Sequence, residues 1–292
     1  MMNFKLLLFF LASSASLAGA VFQQLSYGQH PRQVVGVWDD GQSNPASPWI
    51  VYIHGGAWRN MQQSYRDFEP SVNNMMTSGL LPRGTVYASI DYRLSPCAIP
   101  NANPCPYPVQ HPDHILDVRT ALQMLAQRRG LKSNYILIGH SAGATLSFQL
   151  LMGEAALQGH PLIRAPLPTT VIGIAGIYDM RGLNNRFGGQ YGDFLTEAFG
   201  PDQRDWDRAS PALFAGSFRE RLPSPGGVIL ARSAEDSLVD GPELDEMARR
   251  LSRDGIALAV ERRLRGEHNA VWQDGHQIPS LVTRVMPRRR QK

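Results

Sequence analysis

The chain has 292 residues, 43% of them apolar and 18% charged, which fits about one α/β domain with a large core and excludes a disordered or fibrous chain. Its net charge of +4 is accounted for by five positive residues at one end, Arg284, Arg288, Arg289, Arg290 and Lys292. The body is therefore close to neutral, which argues against a nucleic-acid-binding face.

In chain order, Lys5 precedes the apolar run Leu6–Ala12, and Ser and Ala residues follow to Ala18-Gly19-Ala20. This reads as a secretory signal peptide over 1–20, with the mature chain starting near Val21. The run is too short and too Ser-interrupted for a membrane span. No Asn stands in an N-x-Ser/Thr acceptor. Residues 21–292 then read as a single domain, with a possible cap over 181–215 and a basic tail over 285–292.

Gln33–Trp38 reads as an early strand, followed by a turn rich in Asp, Gly, Asn and Pro. Trp49–Ile53 is a continuous branched and apolar run, the pattern of a strand buried on both faces of a parallel sheet. It runs into His54-Gly55-Gly56-Ala57-Trp58. Thr85–Tyr92 is the next strand, and a proline-rich loop carries Cys97 and Cys105. These two form a disulfide in a secreted chain or stay as free thiols in a reducing compartment. No C-x-x-C accompanies them, so they are not read as a zinc site. His114–Arg128 has helical apolar spacing, and Tyr135–Ile138 is a strand entering Gly139-His140-Ser141-Ala142-Gly143, whose helix runs through Met152. Thr170–Ala175 and Val228–Ser233 are further strands, Pro242–Arg253 a helix, Ala257–Val260 the start of the last strand, and His276–Arg284 a final helix. Strands alternating with helices predict an α/β fold, a mostly parallel sheet with helices on both faces.

The strand–turn–helix setting makes G-x-S-x-G a nucleophile elbow with Ser141 at its tip. Chain order then requires an oxyanion loop upstream and an acid followed by a histidine downstream. His54-Gly55-Gly56 supplies the loop, so Gly55 or Gly56 N–H, with Ala142 N–H, would hold the oxyanion. Asp236 follows the Val228–Ser233 strand and is the leading acid, ahead of Asp179, Glu235 and Asp240. His268 lies after the last strand and is the leading base, with His276 as runner-up. His54 and His140 are poor bases on chain-order grounds. His111, His114 and Asp117 could suggest a metal cluster, but a structural role is preferred, and no metal site is assigned. His30 and His160 carry no signal. Hydrolysis by these groups requires no cofactor, and the expected partner is a small-molecule substrate.

The sequence resembles the fungal kynurenine formamidases of the α/β-hydrolase superfamily. The matching stretches include Tyr52–Arg59, Ser89–Pro96, His111–Val118, Gly139–Ala144, Gly176–Asp179, Ala198–Pro201 and Gly266–Trp272. The resemblance implies hydrolysis of N-formyl-L-kynurenine to L-kynurenine and formate, with a triad on Ser141, Asp236 and His268. The substrate carries a carboxylate and an ammonium, for which Trp58, Arg59, Tyr92 and Arg93 are the candidate binding residues. The chain departs from the family pattern at Asn60-Met61 and Asn269. The alternatives are a secreted carboxylesterase on small or aryl esters and a non-catalytic hydrolase-fold binding protein. The leader favours a secreted protein, whereas the formamidase reaction favours a cytoplasmic one.

Overall fold

Runs of branched and aromatic residues build one mixed sheet in this computed structural model, which describes residues 21–96, 108–223 and 226–286. The expected signal peptide, Cys97 and Cys105, and residues 287–292 of the basic tail lie outside the described residues. The strands are β1 (Val21–Ser26), β2 (Val34–Asp39), β3 (Trp49–Ile53), β4 (Val86–Ile90), β5 (Tyr135–His140), β6 (Thr170–Ile174), β7 (Gly227–Ser233) and β8 (Ala257–Leu264). Their order is β1-β2-β4-β3-β5-β6-β7-β8. β1 and β2 pair antiparallel, as do β2 and β4, and the other neighbours run parallel.

Every residue of β2, β3, β4 and β5 is buried, which is why these strands read as unbroken apolar runs rather than alternating ones. The two edges differ. β1 is mostly exposed, and β8 carries Glu261-Arg262-Arg263, charges that suit an edge strand.

The helices are α1 (Glu69–Ser78), α2 (Asp113–Arg129), α3 (Ala142–Met152), α4 (Met180–Arg186), α5 (Gly192–Phe199), α6 (Gln203–Ala209), α7 (Gly241–Arg253), α8 (Ala270–Gln273) and α9 (Gln277–Val282). One face of the sheet packs against α2, α3 and α7 through residues such as Val118, Leu122, Leu146 and Met247. The other packs against α1 and α9 through Phe68, Val72, Ile278 and Leu281. Every residue of α3 is buried, including Thr145, Ser147 and Gln149. These donate to the carbonyls of Ile177 (2.6 Å), Gly143 (2.9 Å) and Ala209 (2.8 Å), so burial leaves none of those donors unpaired.

Among the described strands and α-helices, three have no counterpart in the expected order: the short α8, β1 and α1. β1 is one, because an exposed strand lacks the apolar run that marks the interior strands. Another is α1 with the 3₁₀ turn before it, Tyr65–Phe68. That turn starts at a capping box in which Ser64 accepts from Arg66 N–H and Asp67 reaches back to Ser64 N–H, with Pro70 in the first turn of α1. The stretch expected as a cap contains α4, α5 and α6. The final helix is shorter than His276–Arg284, and β8 runs four residues beyond Val260.

Candidate active site

The carboxyl ends of the parallel strands deliver the candidate groups to one edge of the sheet. β5 ends at His140, and Ser141 turns the chain into α3 with φ 53° and ψ −122°, a left-handed conformation that costs energy for a residue with a Cβ. The turn is held by Ser141 N–H donating to Ile174 O at 2.9 Å. Glycines are obligatory beside it. A Cβ on Gly139 would come within 2.2 Å of Gly143 O, and one on Gly143 within 2.1 Å of Ile53 O. This is the steric reason for G-x-S-x-G: helix, strand and oxyanion loop meet at backbone distance.

The candidate oxyanion loop follows β3. A Cβ on Gly55 would meet Ser141 Cβ at 2.8 Å, so the loop lies directly against Ser141. Ala57 and Trp58 hold φ of 48° and 56°, so the strain extends into the loop. Tyr92 ties the loop down. Its hydroxyl donates to the carbonyls of His54 (3.2 Å) and Gly55 (3.0 Å), and its ring stacks on His54 at 4.4 Å. His54 Nε2 faces Asp91 Oδ1 at 3.0 Å. Arg32 pairs with the same carboxylate at 2.8 Å and donates to the carbonyls of Met61 and Gln63. Ala142 opens α3, where a backbone N–H has no intrahelical acceptor and is available to an anion beside Ser141.

Asp236 and His268 come from the loops after β7 and β8. Asp236 Oδ2 lies 2.8 Å from His268 Nδ1, and Oδ1 accepts from Leu238 N–H (2.9 Å) and Val239 N–H (3.0 Å). Burial pushes the Asp236 carboxyl up, but its bond to His268, the imidazole charge and the two amides outweigh this and hold it below the ordinary value. His140, next to Ser141, faces His268 O at 2.9 Å through Nε2. Burial, with His268 close by, pushes the His140 pKa down to about 3, so the ring is neutral and Nε2–H donates. His140 thus fastens the turn at Ser141 to the loop that carries His268. A His268–Ser141 hydrogen bond is not formed among the described residues, a bond that commonly tightens only with substrate bound.

The rival residues are engaged elsewhere. Asp179 caps α4 by accepting from Gly182 N–H at 3.0 Å, Glu235 accepts from Gly266 N–H at 3.1 Å, and Asp240 pairs with Arg186 at 2.6 Å. His276 contacts Asn74 at 2.8 Å. His114 Nε2 bonds Ser95 Oγ at 2.9 Å, and Asp117 takes Arg93 through both oxygens, at 2.8 Å each, together with Gln33. These partners give the His111–Asp117 stretch a structural role.

Ser141 and His268 open into a cavity of about 710 Å³ walled by Gly56, Arg59, Tyr191 and Phe194. Of the expected substrate contacts, only Arg59 is in its wall. Trp58 is fully buried, edge-on to Phe199 at 4.8 Å, and Tyr92 is fully buried behind the loop. Arg93 is committed to Asp117 and Asp113. The positions expected to depart from the family pattern, Asn60, Met61 and Asn269, all lie in the cavity wall. Asn269 Oδ1 accepts from Gln63 Nε2 (3.1 Å) and Trp272 Nε1 (3.3 Å), joining oxyanion and histidine loops. Sequence reasoning missed Arg32 and Gln63, because neither stands in a recognisable motif.

The BD-FAE family model matches residues 37–185, from β2 to the end of α4. A kynurenine formamidase-like hydrolase of Fusarium equiseti is 33% identical over 250 residues, covering 80% of this chain and 81% of that protein. A kynurenine formamidase of Meyerozyma guilliermondii is 31% identical over 262 residues, covering 89% and 91%. The chain belongs to the kynurenine formamidase family. It is therefore an enzyme of the α/β-hydrolase type. The fold comparison agrees. Esterase B of Lactobacillus rhamnosus superposes with a TM-score of 0.69 at 16% identity, over 91% of this chain and 84% of that one. Carboxyl esterase 2 of Tuber melanosporum gives 0.64 at 19%, over 91% and 85%. At these identities the likeness carries the fold alone. Among the described residues, no helix is long and apolar enough to cross a membrane.

Proposed function

We propose that this formamidase-family enzyme hydrolyses N-formyl-L-kynurenine to L-kynurenine and formate, with Ser141 as nucleophile, His268 as general base and acid, and Asp236 as orienting carboxylate. The observation that carries the reading is the 2.8 Å contact between Asp236 and His268, which opens into the same cavity as the strained Ser141. His268 takes the Ser141 proton as Oγ attacks the formyl carbon. Negative charge on the carbonyl oxygen falls beside the N–H groups of Ala142 and of Gly55 or Gly56. Protonated His268 then gives its proton to the departing aniline nitrogen, and water attacks the formyl-serine through the same base to release formate. No metal or organic cofactor enters these steps. The substrate is the one implied by the family resemblance, and the Meyerozyma guilliermondii relative bears the name kynurenine formamidase.

An esterase on small or aryl esters is the second reading. It is favoured by the apolar rim of the cavity, where Met61 and Leu238 are exposed. Steady-state turnover of N-formyl-L-kynurenine beside short p-nitrophenyl esters separates the two. Negligible kcat/KM on the formamide with good ester turnover refutes the formamidase reading. Ser141→Ala is expected to lower both activities by at least about 10³-fold, and activity surviving in that variant refutes the shared mechanism.

A further inference from the structure

The loop that carries His268 is fastened to three other loops of the site. Gly266 N–H donates to Glu235 Oε1 at 3.1 Å and Ser237 Oγ to Glu267 Oε2 at 2.7 Å, which join it to the loop of Asp236. His140 Nε2 and His268 O, 2.9 Å apart, join it to the turn at Ser141. Among the described residues, one hydrogen bond joins it to the candidate oxyanion loop, from Gln63 Nε2 to Asn269 Oδ1 at 3.1 Å.

The direction of that bond is dictated by a third residue. Trp272 Nε1–H can only donate, and its acceptor is Asn269 Oδ1 at 3.3 Å. Asn269 therefore shows its oxygen to Trp272 and to Gln63, and Gln63 has to answer with its NH₂. Gln63 Oε1 is then buried with no partner among the described residues, in a side chain only 5% exposed, which costs stability. The amide is thus a burden to the fold at its oxygen and a bridge between loops at its nitrogen. Its own loop is held firmly. Gln63 O accepts from Arg32 Nη2, Arg32 pairs with Asp91 at 2.8 Å, and Gln63 N–H donates to Asn60 O at 3.2 Å. A Cβ on Gly56 would lie 3.3 Å from Gln63 Oε1. The side chain therefore spans from a candidate oxyanion glycine to the residue after His268.

We propose that Gln63 is a positioning residue for the hydrolysis, holding His268 in register with Ser141 and the oxyanion glycines by way of Asn269. The role rests on the Ser141–His268–Asp236 reading and not on whether an amide or an ester is cleaved. A misplacement of about 1 Å can cost about 10²-fold in rate, so loss of one of three attachments is expected to slow attack by Ser141 about tenfold. Binding of the ground state is expected to change little.

The test is the rate at which a fluorophosphonate labels Ser141 in the full chain, followed by mass spectrometry. In that step Oγ forms a bond to phosphorus, fluoride leaves and His268 takes the serine proton, so no choice of substrate enters. Gln63→Met has a similar length but neither the NH₂ nor the unpaired oxygen. It is expected to label about tenfold more slowly and to lose kcat by a similar factor on the best substrate, with KM within about twofold and a thermal midpoint no lower than the wild type's. Asn269→Asp offers oxygen to both donors and is expected to label within about threefold of the wild type. Asn269→Leu is expected to slow labelling as Gln63→Met does, and the double variant no further than the slower single one. Unchanged labelling and kcat in Gln63→Met, or losses that multiply in the double variant, overturn the positioning role. So does a slowing of Gln63→Met that comes with a lowered thermal midpoint and a raised KM. A wild type that is not labelled at Ser141 refutes the triad reading and the role of Gln63 with it. A labelled wild type that turns over esters and not the formamide refutes the formamidase reading alone.

Discussion

Replacing Asp236 with Asn isolates the charge that orients His268. Two backbone amides, from Leu238 and Val239, converge on Oδ1, and His268 Nδ1 faces Oδ2. An asparagine has to keep its carbonyl oxygen under the two amides. The flipped rotamer would set an NH₂ against two N–H donors and lose two hydrogen bonds, at about 1 kcal/mol each before the cost of leaving buried donors unpaired. The NH₂ therefore faces His268 Nδ1, which must then be an acceptor. That puts the imidazole proton on Nε2, the nitrogen that has to receive the proton of Ser141. The expected loss in kcat is about 10⁴-fold, or about 5.5 kcal/mol of transition-state stabilisation. The assay is steady-state kinetics on the best substrate from pH 6 to 9, with circular dichroism to confirm the fold. A loss below tenfold in a folded variant refutes the assignment of Asp236 and returns the acid to the rivals Asp179, Glu235 and Asp240.

Tyr92→Phe removes the hydroxyl that holds the carbonyls of His54 and Gly55; it is expected to cost about 1 kcal/mol of stability and to lower kcat about tenfold with little change in KM, read by chemical denaturation and kinetics. Gly143→Ala drives a Cβ into Ile53 O and is expected to cost at least about 3 kcal/mol or prevent folding; a thermal midpoint unchanged from the wild type contradicts the packing described for the elbow. His111 is buried, and its burial pushes the pKa down from 6.5 to about 3. The unfolded chain therefore binds a proton there that the folded chain refuses, and this contribution to stability falls as pH drops from about 6.5 towards 3. Between pH 7 and 5 it amounts to about 2 kcal/mol. His111→Leu is expected to lose about that much less stability than the wild type over the same interval, and parallel denaturation curves for the two proteins would refute it.

The parts of the molecule legible in the sequence are those where one local constraint dominates. Trp49–Ile53 and Tyr135–His140 are buried on both faces, so their composition alone marks them as interior strands. Ser141 is legible because three backbones meet at the elbow and only glycine fits on either side. The Asp236–His268 pairing follows from chain order, since each residue lies just past a strand that the sheet brings beside its neighbour. The illegible parts depend on contacts between distant residues. Trp58 and Tyr92 are aromatic residues within matched motifs, and sequence cannot tell a side chain facing substrate from one bracing the loop behind it. In this fold both brace. Arg32 reaches Asp91 and the 61–63 backbone from a loop with no motif of its own, so only the folded structure brings it into the argument. The capping box at Ser64 and Asp67 is the exception, a local sequence signal that starts the 3₁₀ turn leading into α1.

The same contrast explains how one framework can serve different substrates. The reacting groups are fixed by backbone sterics and buried pairs: Gly143 against Ile53, Tyr92 under His54 and Gly55, Asp91 between His54 and Arg32. A change at any of these disturbs the strained turn or leaves a buried polar group unpaired, and costs stability before it alters specificity. The cavity wall is held far less tightly. Asn60, Met61, Tyr191, Phe194 and Leu238 come from the oxyanion loop, from α5 and the turn before it, and from the loop after Asp236. Met61 and Leu238 among them are exposed side chains, so they can be exchanged without disturbing the sheet or the elbow. The positions expected from the sequence to depart from the family pattern, Asn60, Met61 and Asn269, line that wall. Divergence in this chain is therefore expected to show first as a change in KM among formamides and esters, with the dependence on Ser141 and His268 unchanged.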